Sequence, residues 1–321
     1  VLKGWNKSFK KGKTDILPSE MLKKIDYFAS MSNCFEPNIA SYTMILDAAS
    51  HCPNPKERLE FSEALLVRLL TESSSNPKVS PTTVTISTVI NAFARSGSAN
   101  AAERAESLLD LAQTMHDDGW IGVEPNAIMY TSVINAWAKA GNPSRAERLL
   151  KKMYKDYTLN GNSNVKPNLW SFNTVLAAWS KSSSTSAVES SEKLFRKMID
   201  LKEAGVLDSR PDTVGYNCLL HTLARRRKTF VNAGLKAETL VEEMYETANA
   251  TGDESVLPNE ITYIALLKIL NACASVNKAE RAKYWVEKLK QDQRTHNILR
   301  DSFVVDQLLQ LGWTDDGGKR T

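Results

Sequence analysis

Large apolar residues recur along this chain at helical spacing, and the spacing itself recurs. Around residue 130 they are Tyr130, Val133, Ile134 and Trp137. That is the i, i+3, i+4, i+7 pattern that puts one apolar stripe on one face of a helix. The same slots hold Phe172, Val175, Leu176 and Trp179 one copy later, and Tyr216, Leu219, Leu220 and Leu223 in the next. Ala92, Ala136 and Ala178 sit beside the large residues, which lets neighbouring helices approach closely. A proline precedes each stripe, and its fixed φ and missing N–H suit the start of a helix. Six such prolines stand at Pro37, Pro81, Pro125, Pro167, Pro211 and Pro258, at intervals of 44, 44, 42, 44 and 47 residues. A period of this size predicts a stacked array, in which each unit is packed only on its neighbours.

Each stripe is followed by a break, as at Ser96-Gly97, Gly141-Asn142-Pro143 or Ser182-Ser183-Ser184, and then by a second helical run. Ala146-Glu147 through Met153, Ser191-Glu192 through Met198 and Ala237-Glu238 through Met244 are three of these runs. The unit is therefore a helical hairpin, and the fold class is all-α. Polar segments at 71–80, 158–166 and 249–257, rich in Ser, Asn and Gly, read as surface loops. Pro18 to Met31 reads as the second helix of an earlier, partial hairpin within residues 1–36. Residues 1–13, with Lys3, Lys7, Lys10, Lys11 and Lys13, read as irregular. Six repeats then fill 37–293, and Leu299 to Leu311 reads as a capping helix within a terminal segment of 294–321.

Composition narrows the function without deciding it. The chain has 41 Lys and Arg against 37 Asp and Glu, a formal +4, which permits a nucleic-acid partner but does not require one. Cys34, Cys52, Cys218 and Cys273 form no CxxC pair, and lone cysteines on apolar helix faces are expected in the core. His51, His116, His221 and His296 lie outside metal-ligand spacing. No catalytic residues, metal site or cofactor are expected, and the chain is read as a non-enzyme. No apolar run reaches the ~20 residues that span a bilayer, so no membrane insertion is expected.

The repeat pattern resembles the pentatricopeptide repeat family. It runs proline, Asn or Asp, a β-branched residue, an aromatic, Asn or Thr, Leu or Ile and Ala, then Ala-Glu and Met. The copy PNAIMYTSVINAWAKAGNPSRAERLLKKM carries it without a gap, and the resemblance covers about residues 37–293. The tetratricopeptide signature W-x2-L-G-x2-Y is absent. The units depart from the family in length, at 42 to 47 residues. The resemblance implies a right-handed superhelical solenoid of about seven helix-turn-helix hairpins. It implies a single-stranded RNA partner, read one base per hairpin by two or three side chains. It also implies a mitochondrial or plastid setting, in RNA stability, processing or translation. The alternative is a structural subunit held by proteins of an organellar ribosome or another large complex.

Three sets of residues carry the implied chemistry. Val84, Ile128, Trp170, Val214 and Ile261 open the first helices and pack on base faces. The readers of base edges are Thr43, Ser87, Thr131, Asn173 and Asn217, completed by the polar residue after the next proline: Asn126, Asn168, Asp212 and Asn259, with Thr82 beside Thr43. Asn and Thr suit this role because they donate or accept hydrogen bonds without a fixed charge. Ser87 with Asn126 and Thr131 with Asn168 resemble adenine readers, Asn173 with Asp212 a uracil reader, and Asn217 with Asn259 a pyrimidine reader. The implied core target is A-A-U-C/U. Ile264 leaves the sixth copy without a reader. Arg95, Lys139, Lys181 and Arg225 share one slot near the end of the first helix, where a cation meets a phosphate or offsets the helix dipole. The competing role of the post-proline residues is plain helix capping.

Overall fold

The computed structural model describes residues 2–12, 14–31, 36–227, 230, 232–272 and 277–291. The terminal segment, with the expected Leu299 to Leu311 helix and His296, lies outside the described residues, as do Cys34 and Cys273. The described residues form fourteen α-helices and three short 3-10 turns, with no strand. They fall into two compact units, Val1–Val175 and Leu176–Thr321.

The first unit contains α1 (Leu2–Lys10), α2 (Pro18–Met31), α3 (Ile39–Ala49), α4 (Pro55–Ser73), α5 (Thr83–Ala94), α6 (Ala99–Asp117), α7 (Ala127–Lys139) and α8 (Pro143–Thr158). α3, α5 and α7 are the proline-led first helices. α1, α3, α5 and α7 pack side by side in that order, while α2, α4 and α6 each pack on the first helix that follows. The stripes read from the sequence are the core: Ile45, Leu46, Ile86, Val89, Ile90, Met129, Val133 and Ile134 are fully buried. α9 (Leu169–Lys181) crosses the boundary between the units. The second unit contains α10 (Ala187–Glu203), α11 (Thr213–Arg226), α12 (Ala233–Thr251), α13 (Glu260–Ala272) and α14 (Lys278–Gln291). Here α11 packs on α10, α12 and α13, and α14 on α13.

Two expectations are corrected. Residues 2–10 are helical, not irregular. Lys3, Lys7 and Lys10 lie at helical spacing on one side, and Leu2, Trp5 and Phe9 on the other. Trp5 is buried, its ring centroid stands 5.8 Å from that of Phe9, and its Nε1–H donates to the Ile16 carbonyl. The segments 71–80, 158–166 and 249–257 are also more ordered than loops. α4 and α12 run into them, and each contains a 3-10 turn, at Pro77–Val79, Ser163–Val165 and Glu254–Val256. Asn76, Asn162 and Asp253 start these turns by accepting from the N–H two residues on. Each turn ends on a buried valine: Val79, Val165 or Val256. Val123 and Leu207 fill the same role after α6 and α10. There the helix ends on Gly119 or Gly205, at φ 80° and 73°, the left-handed backbone that closes a helix C-terminus.

Stacking is held in register by polar pairs one repeat apart. The Thr83 hydroxyl donates to the Gly122 and Glu124 carbonyls, and the Thr213 hydroxyl to those of Ser255 and Leu257. The second helices are joined by ion pairs. Arg68 meets Asp26, Arg104 meets Glu63, Arg148 meets Glu106 and Lys152 meets Asp110 in the first unit. In the second unit Lys236 meets Glu192, Arg196 meets Glu243 and Arg281 meets Glu238.

Candidate nucleic-acid interface

The ion pairs leave the two kinds of helix differently charged. Acids crowd the second helices, where Asp26, Glu63, Glu106, Asp110, Glu192, Glu238 and Glu243 are paired across repeats. Within the first helices from α1 to α13 and their caps, the acids among the described residues are Asp47, Asp212 and Glu260. Asp47 is bound by Lys10 at 2.6 Å and by the Asn6 amide at 2.8 Å, and these hydrogen bonds hold its carboxyl below the usual range against the opposing effect of burial. The same helices and their caps carry Arg95, Lys139, Lys181, Arg225 and Lys268, all exposed. A formal charge of +4 therefore understates how basic the first-helix face is.

The five residues expected to pack on bases are all exposed: Val84 and Ile128 at 62%, Trp170 at 69%, Val214 at 53% and Ile261 at 49%. These values set them apart from the stripes beside them, which are in the core. An apolar residue at one fixed slot of every first helix from α5 onward, held in solvent each time, is not explained by packing. Trp137 and Trp179, at core spacing, are buried as expected.

The reading pairs differ in their state. In the first unit, Ile128 and Trp170 line one cleft of about 300 Å³ together with Thr131 and Asn168. Asn91, Ala127, Ser132 and Asn135 complete the lining, and the Ser132 hydroxyl donates to Asn91 Oδ1 at 2.7 Å. Thr131 donates back to the Ala127 carbonyl at 2.6 Å, as a helical threonine does. Ser87 makes the same bond to Thr83 at 2.7 Å. Thr43 is tied instead to Thr85, Oγ1 to Oγ1 at 3.0 Å, and Thr85 in turn to Thr82 at 3.1 Å. In the second unit the Asn217 amide donates to Asn259 Oδ1 at 3.1 Å, so these two partners touch. Asn173 lies in the first unit and Asp212 in the second.

The post-proline residues do cap their helices. Asn126 accepts from the Met129 N–H, Asn168 from Ser171, Asp212 from Gly215 and Asn259 from Thr262. Capping uses the side-chain oxygen, which leaves the amide N–H groups of Asn126 and Asn168 for another partner. The cations have a structural partner too. Arg95 donates to the Ser50 carbonyl at 3.4 Å and to His51 Nε2 at 3.3 Å, and Arg225 donates to the Lys181 carbonyl at 3.1 Å. Each guanidinium thus closes the C-terminus of the preceding first helix, the favourable end for a cation.

Two titratable groups mark the same face in α11. Burial pushes the Cys218 thiol up to about 12, so it stays protonated at neutral pH. Partial burial, then Lys268 and Arg225, hold His221 below its ordinary value. Sequence reasoning missed Thr85 and Thr262. Their signal was present: Ser41, Thr85, Ser171 and Thr262 are hydroxyl residues at one slot, four after the proline. Among the described residues no group of three His, Cys, Asp or Glu is placed to hold a metal ion, and no helix is long and apolar enough to cross a membrane.

Residues 70–208 match the family model described as the pentacotripeptide-repeat region of PRORP. The matched segment holds three of the six proline-led copies, those opening at Pro81, Pro125 and Pro167, so the pentatricopeptide-repeat likeness is shown for that part of the chain. No curated protein matches it in sequence. Among solved structures it is similar to the pentatricopeptide repeat protein PPR10 in complex with an 18-nt psaJ RNA element, and to a cysteine-to-serine variant of the same complex. Both are 15% identical with a TM-score of 0.41, and the match covers 92% of this chain. The chain spans about two fifths of those longer proteins, 40% in each case.

Proposed function

We propose that the first-helix face binds single-stranded RNA and selects its sequence. The observation that carries this is the cleft lined by Ile128 and Trp170 together with Thr131 and Asn168. Apolar side chains in such a wall suit the faces of a base, and a hydroxyl and an amide in the same wall suit its edge. Val84 offers the same exposed apolar slot in the first unit, and Val214 and Ile261 offer it in the second. The exposed cations on an almost acid-free face suit the phosphates. Ser87 with Asn126 is the other reading pair of the first unit, and Asn217 with Asn259 is that of the second, while Asn173 is proposed as a reader from its slot in α9. No chemical step is assigned to the chain. It acts by occupying RNA, and the family resemblance extends this to stability, processing or translation of an organellar transcript in the mitochondrion or plastid.

The test is retention of a randomised single-stranded RNA pool by the purified chain at stated salt, followed by sequencing. Enrichment of A-A-U-C/U, lost on Thr131→Ala or Asn173→Ala, is the expected result. Retention without enrichment that falls uniformly with salt leaves only electrostatic binding and ends the sequence-reading claim.

A second reading has its own observation. The Thr43–Thr85–Thr82 cluster is satisfied internally, and Ile264 has no hydrogen-bonding group. An array with closed or missing readers at its ends suits a subunit of a larger complex, such as a ribosome, held by protein contacts. Binding to ribosomal particles that survives Asn173→Ala and Thr131→Ala distinguishes it.

A further inference from the structure

We propose that Thr262 sets the base preference of the Asn217–Asn259 pair by fixing which way both amides face; this rests on the RNA-reading function above. Thr262 is fully buried, and by its place in the helix it is only an N-terminal residue of α13. Its hydrogen bonds do more than cap. The Thr262 hydroxyl donates to Asn217 Oδ1 at 2.8 Å and accepts from the Asn259 main-chain N–H at 3.0 Å. The Thr262 N–H donates to Asn259 Oδ1 at 3.2 Å, which also receives the Asn217 amide at 3.1 Å and is the more distant of the two acceptors of the Thr262 hydroxyl, at 3.1 Å against 2.8 Å to Asn217 Oδ1.

An asparagine amide has one accepting end and one donating end, and rotation by half a turn exchanges them. Here both accepting ends are engaged within the cluster. The pair retains three N–H hydrogens, one on Asn217 Nδ2 and two on Asn259 Nδ2, against a single lone pair left on Asn217 Oδ1. Donors of this kind take a base edge made of acceptors, such as the adjacent O2 and N3 of cytosine. They do not suit the N6 amino group of adenine. Without the Thr262 hydroxyl, Asn217 Oδ1 has no fixed donor and the amide is free to turn over.

The first unit repeats the device. Thr85, also fully buried, joins Thr43 and Thr82 through the same slot, and the Thr82 N–H donates to its hydroxyl at 3.2 Å. Met129 and Gly215 occupy that slot in the third and fifth copies and have no hydroxyl to offer. The hydroxyl is thus a positioning residue of some repeats and not of others.

Thr262→Val removes the hydroxyl and keeps the shape. The randomised RNA selection is run on the unaltered chain, on Thr262→Val and on Thr262→Ser, with far-ultraviolet circular dichroism to confirm equal helicity. Thr262→Val is expected to flatten the preference at the single nucleotide read by this pair roughly 10-fold, as loss of one base-edge contact does. The other enriched positions are expected to hold, and Thr262→Ser to restore the preference. If the unaltered chain enriches a motif and Thr262→Val enriches the same one equally sharply, the proposal is overturned and the RNA reading stands. If the unaltered chain enriches nothing, both fall. A loss of affinity shared by all sequences, with the motif intact, assigns Thr262 to stability alone and also overturns the proposal.

Discussion

Ile128 and Trp170 belong to successive first helices and line the same cleft, with Thr131 and Asn168 also in its wall. Trp170 is 69% exposed there, an unfavourable place for an indole unless something covers it. A stacked base does so, and base–aromatic stacking contributes ~1–3 kcal/mol. Trp170→Ala is therefore expected to weaken binding of a selected RNA by roughly 5- to 100-fold in an anisotropy titration. Its exposure also means that the urea midpoint should hardly move, since exposed substitutions stay within about 0.5 kcal/mol. A Trp170→Ala protein that binds as well as the parent excludes stacking at this cleft.

Arg95 and Arg225 each hold a neighbouring helix terminus, so their loss mixes binding with stability. Lys181 shares their slot and is exposed at the last turn of α9, and its carbonyl, not its ammonium, receives Arg225. Lys181→Gln is the cleaner substitution. It should weaken all RNA sequences equally, leave the enriched motif unchanged and lower the slope of log K against log salt by about 1. An altered motif with an unchanged slope would place this lysine at a base rather than a phosphate.

The second helices offer a test of the stacking itself. Glu238 accepts from Arg281 Nε at 2.9 Å and from the Trp285 Nε1–H at 3.1 Å. Trp285 is fully buried, so its N–H has no route to water if the carboxylate is lost. Glu238→Ala leaves the buried Trp285 N–H without its acceptor and removes the ion pair to Arg281, at a cost of about 1–3 kcal/mol. Urea denaturation should show this as a lower midpoint at similar slope. Glu238→Gln, which keeps an acceptor for Trp285, should lose less.

The hairpins were legible because proline, stripe and break recur together, and each signal has a direct physical cause. The five exposed apolar residues were legible only as a slot, because their exposure depends on which face the stripe buries. α1 was hidden by its lysines: charge density suggested an irregular segment, while the spacing of Leu2, Trp5 and Phe9 was the better guide. The buried Val79, Val123, Val165 and Val256 stand two residues before a proline each time, a signal present in the chain but masked by the polar segments around it. The basic character of the first-helix face was not legible from net charge. It arises because acids and bases pair on the second helices, and pairing across repeats has no signature within one repeat. The link from Asn217 through Thr262 to Asn259 was invisible for the same reason.

His221 provides the pH test. It is exposed on α11, and partial burial followed by Lys268 and Arg225 holds its pKa below the ordinary imidazole value. A phosphate arriving on this face offsets those cations and favours the charged imidazole, so the bound state has the higher pKa. Binding then takes up a proton, and affinity rises as pH falls through the interval between the free and bound values. Lowering pH from about 7.5 to about 5.5 should tighten binding of a selected RNA at constant salt. His221→Ala should remove most of that gain while leaving affinity at the upper pH nearly unchanged. The folding term has its own sign: a histidine with a lowered folded pKa contributes stability above its unfolded value, and loses it as pH falls through the folded one. Urea midpoints at both pH values separate that loss from the change in affinity. Binding that is flat with pH in the parent chain would mean that no phosphate approaches His221.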